Sequence, residues 1–303
     1  MHDEIASASV PGKGIALAAA VTTDLVQVVR DIHDLSPTVT AALGRLMTGA
    51  ALLATGLKDR QRLSLVIEGD GPVERLAAEA WVTDDAAVGV RGYARWPRAE
   101  LPANERGKFD VAALVGKGRL QVATIHDLGR PYVGVIELRT GEIAEDLAAY
   151  LADSVQIPSL VALGVLATPR GVGAAGGLIA QALPGAEERA VETLEAHARE
   201  LRAVTSLIDA GHDAVGLLNE LAGTLPLGPV RRRPVRFACR CSREKVESVL
   251  ASMGAAELRS MARERDRTVA TCEYCSTAYL FSREALLELA DRVEGREPAG
   301  GVT

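Results

Sequence analysis

All four cysteines of the chain lie in its last quarter, as Cys239-Arg240-Cys241, a gap of 30 residues from Ser242 to Thr271, and Cys272-Glu273-Tyr274-Cys275. Two tight pairs of thiols are either a metal site, for which the fold must bring both pairs together, or a pair of disulfides. A four-thiolate zinc site needs sulfurs at about 2.3 Å from the ion in a tetrahedron, which two short-spaced pairs can supply. The spacing departs from the common zinc ribbon, where both pairs are C-x-x-C and roughly 15–20 residues separate them. Disulfide geometry also allows each close pair to bridge within itself. A thiolate is the nucleophilic form of cysteine, so an oxidant reaching such a site converts ligands to sulfenic acid and then disulfide, which cannot hold zinc. Spacing alone favours a purely structural zinc site over a redox switch, because most four-cysteine sites are structural.

The redox compartment bears on this choice. The start, Met1-His2-Asp3-Glu4-Ile5, lacks the basic and apolar regions of a secretory signal, and no apolar run is expected to reach the roughly 18 residues of a bilayer span. A cytoplasmic placement without membrane contact follows as an expectation, and thiols there are kept reduced. With 303 residues, 48% of them hydrophobic, the chain can bury a sizeable core and divide into two or three domains.

Hydrophobic periodicity predicts an α+β chain: a mixed α/β domain over residues 1–183, a helical linker over 184–234 and the small four-cysteine module over 235–303. A strand is expected from Gly14 to Thr22 and a helix from Thr23 to His33 capped by the threonines. Ser36-Pro37 opens a long helix that covers a sheet, with serine as N-cap and proline in the first turn. Strands are predicted at Arg62–Glu68, Val73–Trp81, Ala86–Ala94, Arg119–His126 and Tyr132–Leu138, then a helix at Glu142–Ala152. Leu160–Ala167 and Gly171–Leu183 read as the last strands. Charged helix follows from Glu187 to Leu221, its stripe of Val191, Leu194, Leu201, Val204, Leu207 and Leu218 too thin to stay folded without a partner surface. Pro226, Gly228, Pro229 and Pro234 mark a boundary. Beyond it, helices are predicted from Ser242 to Met253, from Ala255 to Arg265 and from Ser282 onward, with a short strand at Thr268–Thr271. The module holds few large apolar side chains, so metal must carry much of its stability.

Other motifs read more simply as structure. From Arg231 to Thr303 there are 14 Lys/Arg against 11 Asp/Glu, net +3, while the rest of the chain is net −9. Arg231, Arg232, Arg233, Arg236 and Arg240 could line a nucleic-acid stripe beside a zinc knuckle, the alternative being a constitutive zinc-ribbon nucleic-acid-binding protein. The acidic remainder would repel a phosphate backbone and favours a solvated basic linker near anionic thiolates. Gly171-Val172-Gly173-Ala174-Ala175-Gly176 fits G-x-G-x-x-G but lacks the following strand and ribose-binding acid of a dinucleotide site, so it reads as a strand that lets neighbours approach closely. His2, His33, His126, His197 and His212 are scattered, and Glu145-Asp146 reads as a first-turn charge pair. No motif argues for an enzyme.

The chain as a whole resembles the heat shock protein thirty-three (HslO) family of redox-regulated chaperones. The resemblance rests on the C-x-C and C-x-x-C pairs followed by Tyr279-Leu280-Phe281, and on Ser36-Pro37 with Ala41-Ala42-Leu43-Gly44-Arg45. Gly69-Asp70-Gly71-Pro72, Val90-Arg91-Gly92-Tyr93, Pro131-Tyr132-Val133-Gly134, Ile143 to Tyr150, and Ala174-Ala175-Gly176-Gly177 with Gln181 and Leu183-Pro184-Gly185 complete it. The chain departs at Ser154-Val155-Gln156-Ile157-Pro158-Ser159, where the family often carries Ser-Glu-Gln and then Pro-Thr. The resemblance implies a holdase without ATP hydrolysis that binds unfolding client proteins and is a homodimer when oxidised. It implies that Cys239, Cys241, Cys272 and Cys275 hold one Zn2+ in the reduced, inactive state. Oxidation then yields Cys239–Cys241 and Cys272–Cys275 disulfides and releases the metal, making 235–303 the redox-switch domain.

Overall fold

The computed structural model describes residues 2–58, 61–104, 107–126 and 130–295; Met1 and residues 296–303, the outer ends of the expected first and third regions, lie outside it. The chain forms two compact units, Met1–Ala238 and Cys239–Thr303. The helices expected as a linker belong to the first.

The first unit begins with a strand that the sequence reading left unassigned, β1 (Glu4–Val10), which turns back through Gly12 and Gly14, both at positive φ, into β2 (Ile15–Val21). Helix α1 (Thr23–His33) follows, but the threonines do not cap it. Thr22 Oγ1 instead bonds Thr48 Oγ1 in the interior. Asp3 takes the capping role from outside the helix, its carboxylate accepting the N–H groups of Asp24 at 3.1 Å and Leu25 at 2.6 Å. Burial raises the Asp3 carboxyl to about 6, against the pull of those donors.

Helix α2 (Pro37–Leu53) begins as its sequence predicts, with Ser36 Oγ accepting from Val39 N. Strands β3 (Gln61–Gly69), β4 (Arg75–Val82) and β5 (Val88–Ala94) come next, followed by a short helix α3 (Val111–Val115). β6 (Gly118–His126), β7 (Tyr132–Glu137), helix α4 (Ala144–Asp153), β8 (Ser159–Thr168) and β9 (Gly171–Ala182) complete the expected pattern. By length and composition Pro37–Gly56 is apolar enough to cross a bilayer, which corrects the expectation that no segment would be. Its apolarity serves the core: 78% of its most apolar window is buried, and it packs on β4, β5, β8 and β9.

The predicted last strands are not the last. The arginine run forms β10 (Arg231–Phe237), and the sheet order is β7-β6-β3-β4-β5-β10-β1-β2-β9-β8. β10 pairs antiparallel with β1 through residues 231–234 and then parallel with β5 through residues 235–237. Pro234 is tolerated there because Val235 N points to β1, where it donates to Asp3 O at 3.0 Å. The alternation of the pleat turns the proline's missing donor toward the side where β5 has not yet paired. Arg232 bonds Glu4 through two nitrogens, at 2.6 and 2.9 Å, and Arg236 grips Asp85 at 2.7 Å, so both arginines, which a nucleic-acid stripe would use, are engaged with carboxylates.

The expected charged helix is three: α5 (Glu188–Glu200), α6 (Val204–Asp209) and α7 (Ala214–Ala222). Their partner surface is one face of the sheet. Strand alternation sends Ala18 and Ala20 of β2 to the core under α2, and Leu17, Ala19 and Val21 to a second core with Leu194, Leu207, Leu217, Leu218 and Leu221. Small residues let both layers approach: a Cβ on Gly176 would meet Ala20 O and Ile208 Cδ1 at 2.5 Å, and one on Gly177 would meet Leu163, Leu52 and Thr48. The G-x-G-x-x-G segment is thus an antiparallel strand between β2 and β8, as the packing reading expected.

The second unit holds α8 (Arg243–Ala251), α9 (Ala255–Glu264), β11 (Arg267–Thr271), β12 (Ala278–Ser282) and α10 (Arg283–Glu294). Ser242 and Ser282 cap α8 and α10, accepting from Lys245 N and Ala285 N. Sequence periodicity placed every one of these elements but β12. The core beneath them is small: Leu250, Leu258, Phe281, Leu286 and Leu289 with Ala255, Ala262 and Ala290.

Candidate metal centre

The four cysteines converge within the second unit. Cys239 and Cys241 precede the Ser242 cap of α8, while Cys272 and Cys275 sit in the turn that joins β11 to β12. That turn is tightly built: Cys272 N donates to Thr277 O at 3.0 Å and Ser276 N to Cys272 O at 2.9 Å, with Ser276 in the left-handed region at φ 56°. It aims the backbone N–H groups of Tyr274 and Cys275 at the Cys272 sulfur.

All four Sγ atoms lie within 4.8 Å of one another. Cys239 and Cys272 are 3.8 Å apart, Cys241 and Cys275 3.3 Å, and none of the four forms a disulfide. A disulfide would need about 2.05 Å. A tetrahedron with arms of about 2.3 Å has edges of about 3.8 Å, so these sulfurs fit a four-coordinate metal that favours soft ligands. Each side chain is only half-buried, so an oxidant in solution can reach them. Among the described residues no other group of three or more His, Cys, Asp or Glu side chains is placed to share a metal.

The site holds its protons unevenly. Burial pushes Cys241 up to about 12 although the Tyr279 phenol, donating at 3.2 Å, pulls it down. Burial likewise raises Cys272 against its two backbone donors. For Cys275 burial also acts upward, but hydrogen bonds with Thr277 and with the neighbouring sulfurs outweigh it and bring the thiol down to about 7. Metal binding requires all four as thiolates and therefore releases protons.

Several residues near the sulfurs escaped the sequence reading. Tyr279 and Thr277 each hydrogen-bond a sulfur, and the signal available was their alternation after Cys275 in a strand-like run. Arg243 lies over the Phe281 ring at 4.3 Å and donates to Leu280 O at 3.0 Å, fixing α8 to β12. The histidines remain apart, His126 near Gln61 on the sheet and His197 on the Glu220 carbonyl at 2.6 Å. Glu145 and Asp146 both lie in the first turn of α4, as expected, but Asp146 is fully buried and accepts three backbone N–H groups, and the helix starts at Ala144 instead of Glu142.

Comparison with known proteins gives concordant results. The family model described as "Hsp33 protein" matches residues 3–282. The "33 kDa chaperonin" of Lachnoclostridium phytofermentans is 40% identical over 294 residues, covering 96% of this chain and 99% of the relative. That of Desulforamulus reducens is 39% identical, covering 98% and 100%. The crystal structure of the 33 kDa chaperonin (heat shock protein 33 homolog) of Thermotoga maritima superposes with a TM-score of 0.88 at 34% identity, over 97% of this chain and 100% of that one.

Proposed function

The chain belongs to the Hsp33 protein family, and from that premise we propose that it is a chaperone of the ATP-independent holdase kind, switched by the oxidation state of Cys239, Cys241, Cys272 and Cys275. The observation that carries this reading is the meeting of four half-buried sulfurs, none in a disulfide, within 4.8 Å of one another. In the reduced state these sulfurs hold one Zn2+, which supplies a four-coordinate crosslink for a unit with a small core. Peroxide or hypochlorite oxidises the pairs to Cys239–Cys241 and Cys272–Cys275 disulfides. Forming each disulfide takes two electrons from a pair of thiolates and passes them to the oxidant, and the metal leaves because a disulfide is no longer a thiolate ligand.

The second unit then unfolds, and the charged helices α5–α7 loosen from the sheet. Those helices are supported by packing far more than by intrinsic propensity, since outside the stripe they carry Glu188, Arg189, Glu192, Glu195 and Arg199. Their release uncovers Leu17, Ala19, Val21 and Leu178 together with the helices' own leucines, an apolar surface suited to unfolding clients. The reading places the protein in the reducing cytoplasm, as a homodimer in the oxidised state, and assigns it neither nucleic acid nor an enzymatic turnover.

The test compares reduced, zinc-loaded protein with peroxide-treated protein for suppression of light scattering by a heat-denatured client. Suppression by the oxidised form alone is expected, together with increased binding of an apolar dye. Equal suppression by the reduced form contradicts the switch.

A further inference from the structure

Two hydroxyl groups at the turn end of the β11–β12 hairpin reach one sulfur from each cysteine pair. Tyr279 Oη donates to Cys241 Sγ at 3.2 Å, and Thr277 Oγ1 lies 3.2 Å from Cys275 Sγ. Thr277 lies immediately before β12 and Tyr279 two residues on, within it. The sulfurs they address are 3.3 Å from each other. Tyr279 pairs across the hairpin with Ala270, and its ring packs against the core of the unit, so the direction of its hydroxyl is set by the fold.

We infer that Tyr279, assisted by Thr277, is a positioning residue that governs how tightly the sulfurs of Cys241 and Cys275 hold their metal and how fast they react with peroxide. The inference rests on the reading of the four cysteines as an oxidisable metal site. Four thiolates around a divalent cation carry a net charge of −2, and a hydroxyl donating to one of them draws off part of that charge. Losing such an outer-sphere partner typically weakens metal binding 10- to 100-fold. The same donor makes the sulfur a poorer nucleophile; with a Brønsted slope of about 0.4–0.5, a tenfold change in thiolate basicity changes the attack rate about threefold.

The chemistry being slowed is attack of a thiolate on the O–O bond of hydrogen peroxide. This forms a sulfenic acid and expels hydroxide. The second thiolate of the pair then displaces a second hydroxide to form the disulfide, so two sulfurs lose two electrons and the peroxide gains them. The Tyr279 hydroxyl thus sets an oxidant threshold, holding the site closed against low peroxide.

The experiment uses the full chain with Tyr279→Phe, which removes only the oxygen, Thr277→Val, and both together. Zinc affinity is read by competition with a chromophoric chelator, zinc release by stopped flow after peroxide, and sulfur electron density by the sulfur-to-metal charge-transfer band of the Co2+-substituted protein. Tyr279→Phe is expected to bind zinc about tenfold more weakly, to release it about threefold faster, and to move the band to lower energy. The double variant should exceed either single one. Far-UV circular dichroism of the metal-loaded variants separates this role from a structural one, and if Tyr279→Phe fails to fold, Thr277→Val carries the test. Variants matching wild type within twofold in affinity and rate, with an unshifted band, overturn the inference alone. A wild-type chain that binds neither zinc nor cobalt overturns it together with the proposed function.

Discussion

Removing the metal from the reduced protein will unfold residues 239–295 and leave the sheet of Met1–Ala238 standing. Among its described residues the second unit buries five large side chains, Leu250, Leu258, Phe281, Leu286 and Leu289, around three alanines. A structural zinc site contributes on the order of 10–16 kcal/mol of apparent folding free energy, whereas a whole domain has a net stability of roughly 5–15 kcal/mol. The metal term therefore decides whether α8, α9 and α10 exist. Chelation should abolish their helical ellipticity and open them to protease. Cys272→Ser should do the same without chelator, because three ligands cannot replace four and the hairpin turn loses the sulfur that its N–H groups address. The sheet of the first unit and its core under α2 should resist both treatments, while α5–α7 loosen. A chelated protein that keeps its protease resistance between Cys239 and Gly295 would show that packing, not metal, holds the unit.

The second large effect lies far from sulfur chemistry. Asp146→Ala is expected to destabilise the first unit by about 3–5 kcal/mol, near the upper end of single substitutions. Asp146 is fully buried, and its carboxylate accepts Arg139 N at 2.7 Å, Thr140 N at 3.1 Å and Ile143 N at 3.0 Å. Each bond to a charged acceptor is worth roughly 1.5–3 kcal/mol, and the donors left behind have no water to turn to at Ile143. These bonds also hold Ile143 at φ 70°, a conformation that costs a β-branched residue free energy and persists only when its surroundings enforce it. Asp146→Asn, which keeps an acceptor but loses the charge, should fall between. The measurement is the urea midpoint of the zinc-loaded protein at unchanged m-value. A shift corresponding to less than about 1 kcal/mol would mean that the loop finds other acceptors.

Much of this architecture could be read from residue patterns, and the exceptions share a cause. β3 to β9 and the helices of the second unit announce themselves through periodicity and serine caps, which are local signals. β10 does not, because Arg231, Arg232, Arg233 and Pro234 together spell a solvated turn. They form a strand only because β1 and β5 flank them and Glu4 and Asp85 neutralise Arg232 and Arg236. β1, with the sequence Glu-Ile-Ala-Ser-Ala-Ser-Val, has little strand propensity of its own and is ordered by its neighbours. The cap of α1 by Asp3 comes from the far side of a hairpin, beyond any local rule.

The metal centre divides in the same way. The four cysteines stood out in the sequence by their spacing, because two short-spaced pairs are either a metal site or a pair of disulfides, and the fold brings them together. The supporting hydroxyls did not, since whether Thr277 and Tyr279 face the sulfurs depends on the register of a hairpin whose second strand went unrecognised. The three helices α5–α7 were legible as an amphipathic stripe in need of a partner, but not as the cover of β1, β2 and β9.

Amide hydrogen exchange before and after peroxide tests most directly whether the four sulfurs control folding. In the reduced, zinc-loaded chain the amides of α8, α9 and α10 should be protected. After all four thiols are oxidised they should exchange as in an unfolded chain, with α5–α7 partly deprotected and β3, β4 and β6 unchanged. Retained protection across α8–α10 in fully oxidised, zinc-free protein would contradict the account.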